Sequence, residues 1–218
     1  MHPERIGRAQ FLEGTHCFHR IDMIAAHRLV WLKGADRRLT AAAMGTNPAS
    51  PVRYGVELDR AEAGHSDPYV VALHATSRDD KLWPEAHWRL LLQRLSDDGV
   101  RSVLPWGNDA ERARALRLAL DIGGASVPER MPPRALAQLF AGASAVVGVD
   151  TGLAHLAAAV GTPVLCVFTA TDPGLTGVVG EHAPALNLGG NGDVPTVDEV
   201  TAAVRPWLSA PRLRAGTT

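Results

Sequence analysis

Residues able to bind a ligand are most concentrated directly after a predicted buried strand at residues 145–149. Asp150, Thr151 and Gly152 follow that strand, and His155 comes one helical turn after Thr151. A carboxylate, a hydroxyl and an imidazole at the start of a helix suit an anionic ligand, because the amides of the first turn point toward it. An ordinary strand–helix junction in which Asp150 caps the helix would contain the same residues, so both interpretations stay open.

The helix that carries these side chains is predicted from its apolar spacing. Its core-facing positions, at i, i+3, i+4 and i+7, are Leu153, Leu156, Ala157 and Val160. Gly161 should end the helix, and Pro163 prevents its continuation. Aspartic proteases also use an Asp-Thr-Gly triplet, but they need two such carboxylates in a β-rich fold, and here one copy leads into a helix.

Strands and helices alternate from residue 69 onward. Besides residues 145–149, the predicted strands are residues 69–74, 101–104 and 164–168. The other predicted helices are residues 85–98, 109–120, 133–143 and 196–208. The helix at 109–120 should point Ala113, Leu116 and Leu120 inward. The helix at 196–208 begins with a Thr196–Glu199 capping box. This alternation predicts an α/β fold, a Rossmann-like parallel sheet with helices on both faces, whose ligands bind beyond the carboxyl ends of the strands.

Two other loops on that edge carry polar groups. Residues 75–84 include Thr76, Ser77 and Lys81, which could bind an anion, although a charged surface loop would look the same. Glu111 follows the second strand, where a carboxylate could accept hydrogen bonds from the two adjacent hydroxyls of a ribose or simply face solvent. The Gly-rich residues 169–177 follow the last predicted strand and could close over a ligand.

The composition of the chain limits the kinds of ligand or partner that it could bind. The chain has 218 residues and a formal net charge of −1, which argues against nucleic acid as the main partner. Its two cysteines are far apart in sequence, so neither a disulfide framework nor a Cys/His metal site is expected, and a reducing compartment is favoured.

Outside the alternating region, residues 16–45 are predicted to be helical, residues 46–51 to be a linker, and the tail beyond Ser209 to be loose.

Four segments together resemble the lipopolysaccharide heptosyltransferase I family in order and spacing. They are residues 75–84 with Trp88, 104–107, 150–156 and 171–175. The resemblance implies a GT-B fold, two Rossmann-like domains facing a cleft, of which the N-terminal one binds the acceptor and the C-terminal one binds the donor. By this implication residues 1–52 are a helical remnant of the acceptor domain with its linker, and residues 53–218 are the C-terminal nucleotide-sugar-binding domain.

The resemblance also implies an activity. It is the inverting, metal-independent transfer of L-glycero-D-manno-heptose from ADP-heptose to Kdo of the lipopolysaccharide inner core, on the lipid A precursor, with no further cofactor. The protein would be cytoplasmic and would meet the membrane peripherally, at the inner face of the inner membrane. The implied donor-binding residues are Thr76, Ser77, Lys81, Thr151, Gly152 and His155 around the diphosphate and sugar, Glu111 and Met131 near the ribose and adenine, and Asp150 near the sugar hydroxyls.

The family's first strand and the Gly-rich loop with its catalytic aspartate have no counterpart before His16. No catalytic base is therefore expected in this chain, which would be the donor half of a truncated transferase. The alternatives are a nucleotide-binding module that no longer catalyses transfer, and another heptosyltransferase such as type II, which shares the Asp-Thr-Gly–His element.

Overall fold

A computed structural model describes residues 52–56, 58 and 67–209. These residues form a six-stranded, fully parallel sheet in the order β3-β2-β1-β4-β5-β6. The strands are β1 (Tyr69–Leu73), β2 (Arg101–Val103), β3 (Ala125–Ser126), β4 (Ala145–Val149), β5 (Val164–Phe168) and β6 (Ala185–Gly189). The order reverses between β1 and β4, so the loops after these two strands lie side by side at the carboxyl edge, where α/β sheets bind ligands.

Helices cover both faces of the sheet, as predicted. They are α1 (Glu85–Asp97), α2 (Asp109–Ala119), α3 (Pro133–Ala141), α4 (Gly152–Ala159), α5 (Pro173–Thr176) and α6 (Val197–Leu208), with a 3₁₀ turn at Asp79–Lys81. Side chains of α1, α2 and α6 share one apolar cluster, and those of α3 and α4 share the other. Each of β1, β4 and β5 is buried along its whole length, which explains their continuous apolar runs.

Two strands have no counterpart in the prediction. β3 is only two residues long, and β6 lies at the edge of the sheet, half-buried, with Asn187 at its centre. Neither segment has the apolar run or the strict alternation from which a strand is recognised. Both are strands because a neighbour in the sheet supplies the hydrogen bonds.

The predicted inward face of α2 is wrong. Ala113 is exposed, and Leu116 and Leu120 are 49% and 60% exposed, whereas Ala115 and Leu118 are buried. Ala115, Leu118 and Ile122 have the same i, i+3, i+7 spacing as the predicted set, so periodicity cannot choose between the two stripes. The choice is tertiary: Arg114, on the buried side, donates to the carbonyl of Trp83 at 2.9 Å and pairs with Glu85 at 3.0 Å.

The buried face of α4 is wider than predicted. Ala154, His155 and Ala157–Ala159 are buried, and Leu153 and Leu156 of the predicted stripe are only half-buried. Small alanine side chains allow α4 to pack closely on the sheet and on α3. The helix stops before Gly161, which adopts a φ of +77° that suits glycine, as predicted.

Several predictions fall on residues that the structure does not describe. They are the helix at 16–45, the linker at 46–51 and the loose tail beyond Ser209, and the domain boundary between residues 52 and 53 likewise stays a prediction. Just after that boundary, the amide of Tyr54 donates to Glu181 Oε2 at 2.6 Å, and its hydroxyl donates to the carbonyl of Val179 at 2.8 Å. None of the helices in the described residues has the length and apolar character that a membrane crossing requires.

Candidate donor-binding site

Three loops meet at the carboxyl edge of the sheet, and they meet on Asp150. Lys81 Nζ, from the loop after β1, donates to Asp150 Oδ2 at 2.8 Å. Thr171 Oγ1, from the loop after β5, donates to the same oxygen at 2.8 Å. Asp150 itself directly follows β4, so three adjacent strands of the sheet each deliver one member of this cluster, which we call the Asp150 cluster.

The Asp150 cluster is largely shielded from water. The side chains of Lys81 and Asp150 are 18% and 9% exposed, so their charges attract each other more strongly than those of a surface ion pair. Oδ2 of Asp150 receives both donors, and Oδ1 has no hydrogen-bond partner among the described residues. The carboxylate is thus held from one side and keeps one oxygen able to accept a hydrogen bond from a ligand.

The prediction that Asp150 caps α4 is wrong. The N-cap residue of α4 is Thr151, and its side chain makes no capping hydrogen bond. The carboxylate of Asp150 accepts instead from Lys81 and Thr171, because Thr151 occupies the N-cap position and the fold brings the oppositely charged ammonium of Lys81 within reach. The first turn of α4 is therefore left without a side-chain cap from either residue.

The loop after β1 is fixed at three points, which determines where Lys81 lies. Thr76 Oγ1 donates to the carbonyl of Asp150 at 2.9 Å. Thr169 Oγ1 donates to the carbonyl of Asp80 at 2.8 Å, within the 3₁₀ turn that carries Lys81. Trp83 Nε1 donates to the carbonyl of Pro195 at 2.8 Å, from a fully buried ring. Lys81 thus projects from a braced turn rather than from a loose surface loop.

Beneath this loop lies a polar group of side chains that sequence reasoning did not single out. Glu85 pairs with Arg114 and Arg117, and its hydrogen bond with Arg117 holds the pKa of its carboxyl below the ordinary value. His74, at the end of β1, is fully buried, and neither of its ring nitrogens has a hydrogen-bond partner among the described residues. Burial, and secondarily the charge of Arg114, lowers the pKa of His74 to about 4, so His74 is neutral at pH 7.

Glu111 and Met131 lie on other parts of the same domain. Glu111 Oε2 accepts from the amide of Gly107 at 2.7 Å, and Asn108 Oδ1 accepts from the amide of Glu111 at 2.9 Å. Asn108 thus caps α2, and Glu111 holds the amide of the residue before that cap, so the Glu111 carboxylate has a structural partner of its own. Met131 is half-buried against the apolar cluster of α3 and α4.

The remaining predicted residues flank the Asp150 cluster. Ser77 and Gly152 are exposed, Thr151 is half-buried, and His155 is 5% exposed within the first turn and a half of α4. The structure therefore brings Thr76, Lys81 and Asp150 into direct contact. The part played by each predicted residue in binding a ligand stays a prediction.

Sequence reasoning assigned no role to Thr169 or Thr171. Both lie in the Gly-rich segment that is predicted to be able to close over a ligand, and Thr171 also lies in one of the four segments that carry the family resemblance. The available signal was their position: hydroxyl side chains directly after a predicted buried strand reach the ligand-binding edge of a parallel sheet.

Among the described residues, no group of three or more His, Cys, Asp or Glu side chains is arranged to hold a metal ion.

In a doubly wound parallel sheet, ligands bind beyond the carboxyl ends of the strands at the switch point, which is where the Asp150 cluster lies. The chain belongs to glycosyltransferase family 9 (heptosyltransferase), which matches residues 35–204. The family resemblance inferred from the four sequence segments is thereby confirmed.

Several individual relatives within the family are lipopolysaccharide heptosyltransferases 1. Lipopolysaccharide heptosyltransferase 1 of Salmonella typhimurium (strain LT2) is 50% identical over 120 residues, which cover 55% of this chain and 38% of that protein. Lipopolysaccharide heptosyltransferase 1 of Pseudomonas aeruginosa is 46% identical over 134 residues, or 61% of this chain and 38% of that protein. The chain thus spans less than two-fifths of the length of these relatives.

Solved structures agree with the fold. Escherichia coli heptosyltransferase WaaC with ADP superimposes with a TM-score of 0.65 at 37% identity, over 79% of this chain and 55% of that one. E. coli ADP-heptose lps heptosyltransferase II gives a TM-score of 0.58 at 18% identity, over 81% of this chain and 52% of that one, and at this identity it supports the fold alone. These likenesses confirm the predicted Rossmann-like domain of a GT-B heptosyltransferase.

Proposed function

We propose that this chain is the donor-binding part of a type I lipopolysaccharide heptosyltransferase and binds ADP-heptose at the carboxyl edge of its sheet. The observation that carries the proposal is the Asp150 cluster, whose Lys81–Asp150 pair is partly buried at the switch point between β1 and β4. The similarity to heptosyltransferase 1 supports the choice of donor. We propose no metal and no cofactor besides this donor.

The chemistry of the cluster suits a sugar nucleotide. Lys81 can share its three ammonium protons between Asp150 and a diphosphate oxygen, which neutralises charge on the departing ADP. The start of α4 adds oriented amides from Thr151 and Gly152, and Thr76 and Ser77 add hydroxyls nearby. The remaining oxygen of Asp150 can accept from a hydroxyl of the heptose.

Other parts of the domain would bind the nucleoside. We propose that Glu111 accepts from the ribose hydroxyls and that Met131 packs beside the adenine. His155, in α4 one turn after Thr151, would line the diphosphate end of the same site.

We further propose that the acceptor is Kdo of the lipopolysaccharide inner core, reached at the inner face of the inner membrane. An acceptor hydroxyl oxygen would attack the anomeric carbon of the heptose while the bond from that carbon to the diphosphate breaks, with inversion. The hydroxyl proton would pass to an aspartate of the family's acceptor-binding domain. The present chain would contribute the donor half of this arrangement.

Calorimetric titration of the 218-residue chain with ADP tests the donor site. Lys81→Ala should weaken ADP binding by about 1.5–3 kcal/mol, the range for a hydrogen bond to a charged group. Arg205→Ala is the matched control, because Arg205 is a cation paired with Asp98 at 2.8 Å, beyond the end of α1 and thus at the opposite edge of the sheet. We expect its ADP affinity to stay within about twofold of the unmodified chain, since the charge lies far from the site. An unchanged affinity in Lys81→Ala would refute the proposed role of the Asp150 cluster.

A further inference from the structure

We propose that Thr171 is a positioning residue for the donor sugar: its hydroxyl holds the carboxylate of Asp150 in the orientation that receives a heptose hydroxyl. This inference rests on the proposed function and extends it to a residue that contacts the sugar only through Asp150. It follows from the contacts of one carboxylate and from the way in which the loop after β5 is anchored.

The two oxygens of Asp150 are used differently. Oδ2 accepts from Lys81 Nζ and from Thr171 Oγ1, both at 2.8 Å, and Oδ1 has no partner in the described part of the chain. Because the terminal torsion of an aspartate is broad, a single donor on one oxygen would leave the carboxylate free to turn. Two donors from two different loops restrict this rotation and leave Oδ1 as the acceptor for a ligand hydroxyl.

The two donors differ in how firmly they are held. The Lys81 ammonium ends a flexible four-carbon side chain, and a bound diphosphate would draw it partly away from Asp150. Thr171 carries a short β-branched side chain, whose first torsion has few accessible values. When the diphosphate shares the lysine, the threonine hydroxyl is the donor that continues to orient Asp150.

The backbone on both sides of Thr171 is fixed, so its hydroxyl is aimed before a ligand arrives. Two residues earlier, Thr169 Oγ1 donates to the carbonyl of Asp80 at 2.8 Å, which ties the start of the loop to the turn that carries Lys81. One residue later, Asp172 caps α5 by accepting from the amide of Gly174 at 2.7 Å. Thr171 therefore lies between a residue tied to the turn of Lys81 and the capped first turn of α5, and its hydroxyl is the contact of this loop with Asp150.

The test compares the affinities of the 218-residue chain for ADP and for ADP-heptose by calorimetry, in the unmodified chain and in Thr171→Val and Thr171→Ser. Valine has nearly the shape of threonine but lacks its hydroxyl, and serine keeps the hydroxyl. We expect Thr171→Val to weaken ADP-heptose binding about tenfold, a factor that corresponds to about 1.4 kcal/mol, and to change ADP binding less than twofold. Thr171→Ser should restore most of the loss.

Thr162→Val is the matched control. Thr162 precedes β5, at the opposite edge of the sheet, and its buried hydroxyl also donates to an oxygen, the carbonyl of Phe140 at 2.7 Å. This variant should lower the melting temperature without changing the ratio of the two affinities. If Thr171→Val does not fold, the same comparison is made between Thr171→Ala and Thr171→Ser.

The outcomes separate this inference from the proposed function. Unchanged ADP-heptose affinity in Thr171→Val, or an equal loss for ADP and ADP-heptose, overturns the positioning role and leaves donor binding intact. Equal affinities of the unmodified chain for ADP and ADP-heptose also overturn it, because a contact between Asp150 and the sugar would then add nothing to the binding free energy. An unmodified chain that binds neither ligand removes the proposed function, and this inference with it.

Discussion

At the scale of single residues, the pair of Lys81 and Asp150 is intermediate between a surface ion pair and a buried one. Exposed pairs stabilise proteins by about 0–1 kcal/mol, whereas loss of one partner from a buried pair costs about 3–5 kcal/mol. With side chains 18% and 9% exposed, this pair should stabilise the chain measurably even without ligand. We therefore expect the two residues to have a structural role besides the proposed binding role.

A double-mutant cycle on this pair measures the stabilisation. We expect Lys81→Met and Asp150→Asn each to lower the free energy of unfolding, and the double variant to lose less than their sum by about 1–2 kcal/mol. Urea denaturation provides the three values. The same cycle on Arg205 and Asp98, whose side chains are 60% and 43% exposed, is the control and should give a coupling below about 0.5 kcal/mol. Additive effects at Lys81 and Asp150 would contradict the prediction.

His74 should make the stability of the chain depend on pH between 6.5 and 4. Burial lowers its pKa from 6.5 to about 4 in the folded chain, so over this range the unfolded chain binds the proton more readily. The stabilisation is complete above pH 6.5 and is lost as the pH falls toward 4. Between pH 7 and pH 5 the free energy of unfolding should fall by about 2 kcal/mol on account of His74.

Denaturant unfolding of His74→Phe checks this dependence, because the variant should lose that part of the pH slope. His182→Phe should keep it, since the His182 side chain is 71% exposed. The Glu85 carboxyl, whose pKa its hydrogen bond with Arg117 holds below the ordinary value, is present in both variants and in the unmodified chain, so its own contribution appears in all three pH slopes. An equal pH slope in His74→Phe and in the unmodified chain would show that His74 does not titrate in this range.

At the scale of elements, α2 shows how a helix can have two equivalent apolar stripes. The structure buries the stripe of Leu118 and exposes that of Leu116. Leu118→Ala should therefore lower the free energy of unfolding by about 2–5 kcal/mol, the cost of a cavity in a core. Leu116→Ala, the same change two residues away, should stay within about 0.5 kcal/mol of the unmodified chain. Similar losses in thermal or urea unfolding would mean that the helix faces the sheet differently.

At the scale of the whole molecule, we predict that the 218-residue chain binds ADP-heptose but transfers it to a Kdo-bearing acceptor slowly or not at all. Transfer needs a base for the acceptor hydroxyl and a surface that positions the acceptor, and positioning can supply several kcal/mol of the barrier. The described residues form one Rossmann-like unit, and the chain spans 38% of the length of heptosyltransferase 1.

A radiolabelled or mass-spectrometric assay of heptose transfer checks this prediction beside calorimetric ADP binding. The aspartates before the sheet that could replace the base are Asp22, Asp36, Asp59 and Asp67, and none follows a predicted strand in a Gly-rich turn. Steady turnover that disappears when one of these aspartates is changed to Asn would contradict the prediction and would identify a base in that region.

The sequence by itself determined the central strands, the helices that join them and the edge of the sheet at which the proposed site lies. Runs such as residues 145–149 are buried on both faces, so their apolar character is visible without knowledge of the fold. The Thr196–Glu199 capping box is equally recognisable from the sequence, since both of its hydrogen bonds join residues three positions apart. Such features depend on neighbours along the chain.

Only the tertiary structure decided which groups the polar side chains contact. The sequence predicts that Asp150 caps α4, but its carboxylate accepts hydrogen bonds from Lys81 and Thr171 instead. Lys81 lies 69 positions earlier in the chain and Thr171 lies 21 positions later. The edge strand β6 and the buried side of α2 were settled in the same way, by β5 and by Arg114 with Glu85. A charged or hydroxyl side chain takes the strongest partner that the fold brings within reach, and the order of the strands, rather than the local sequence, determines which partners those are.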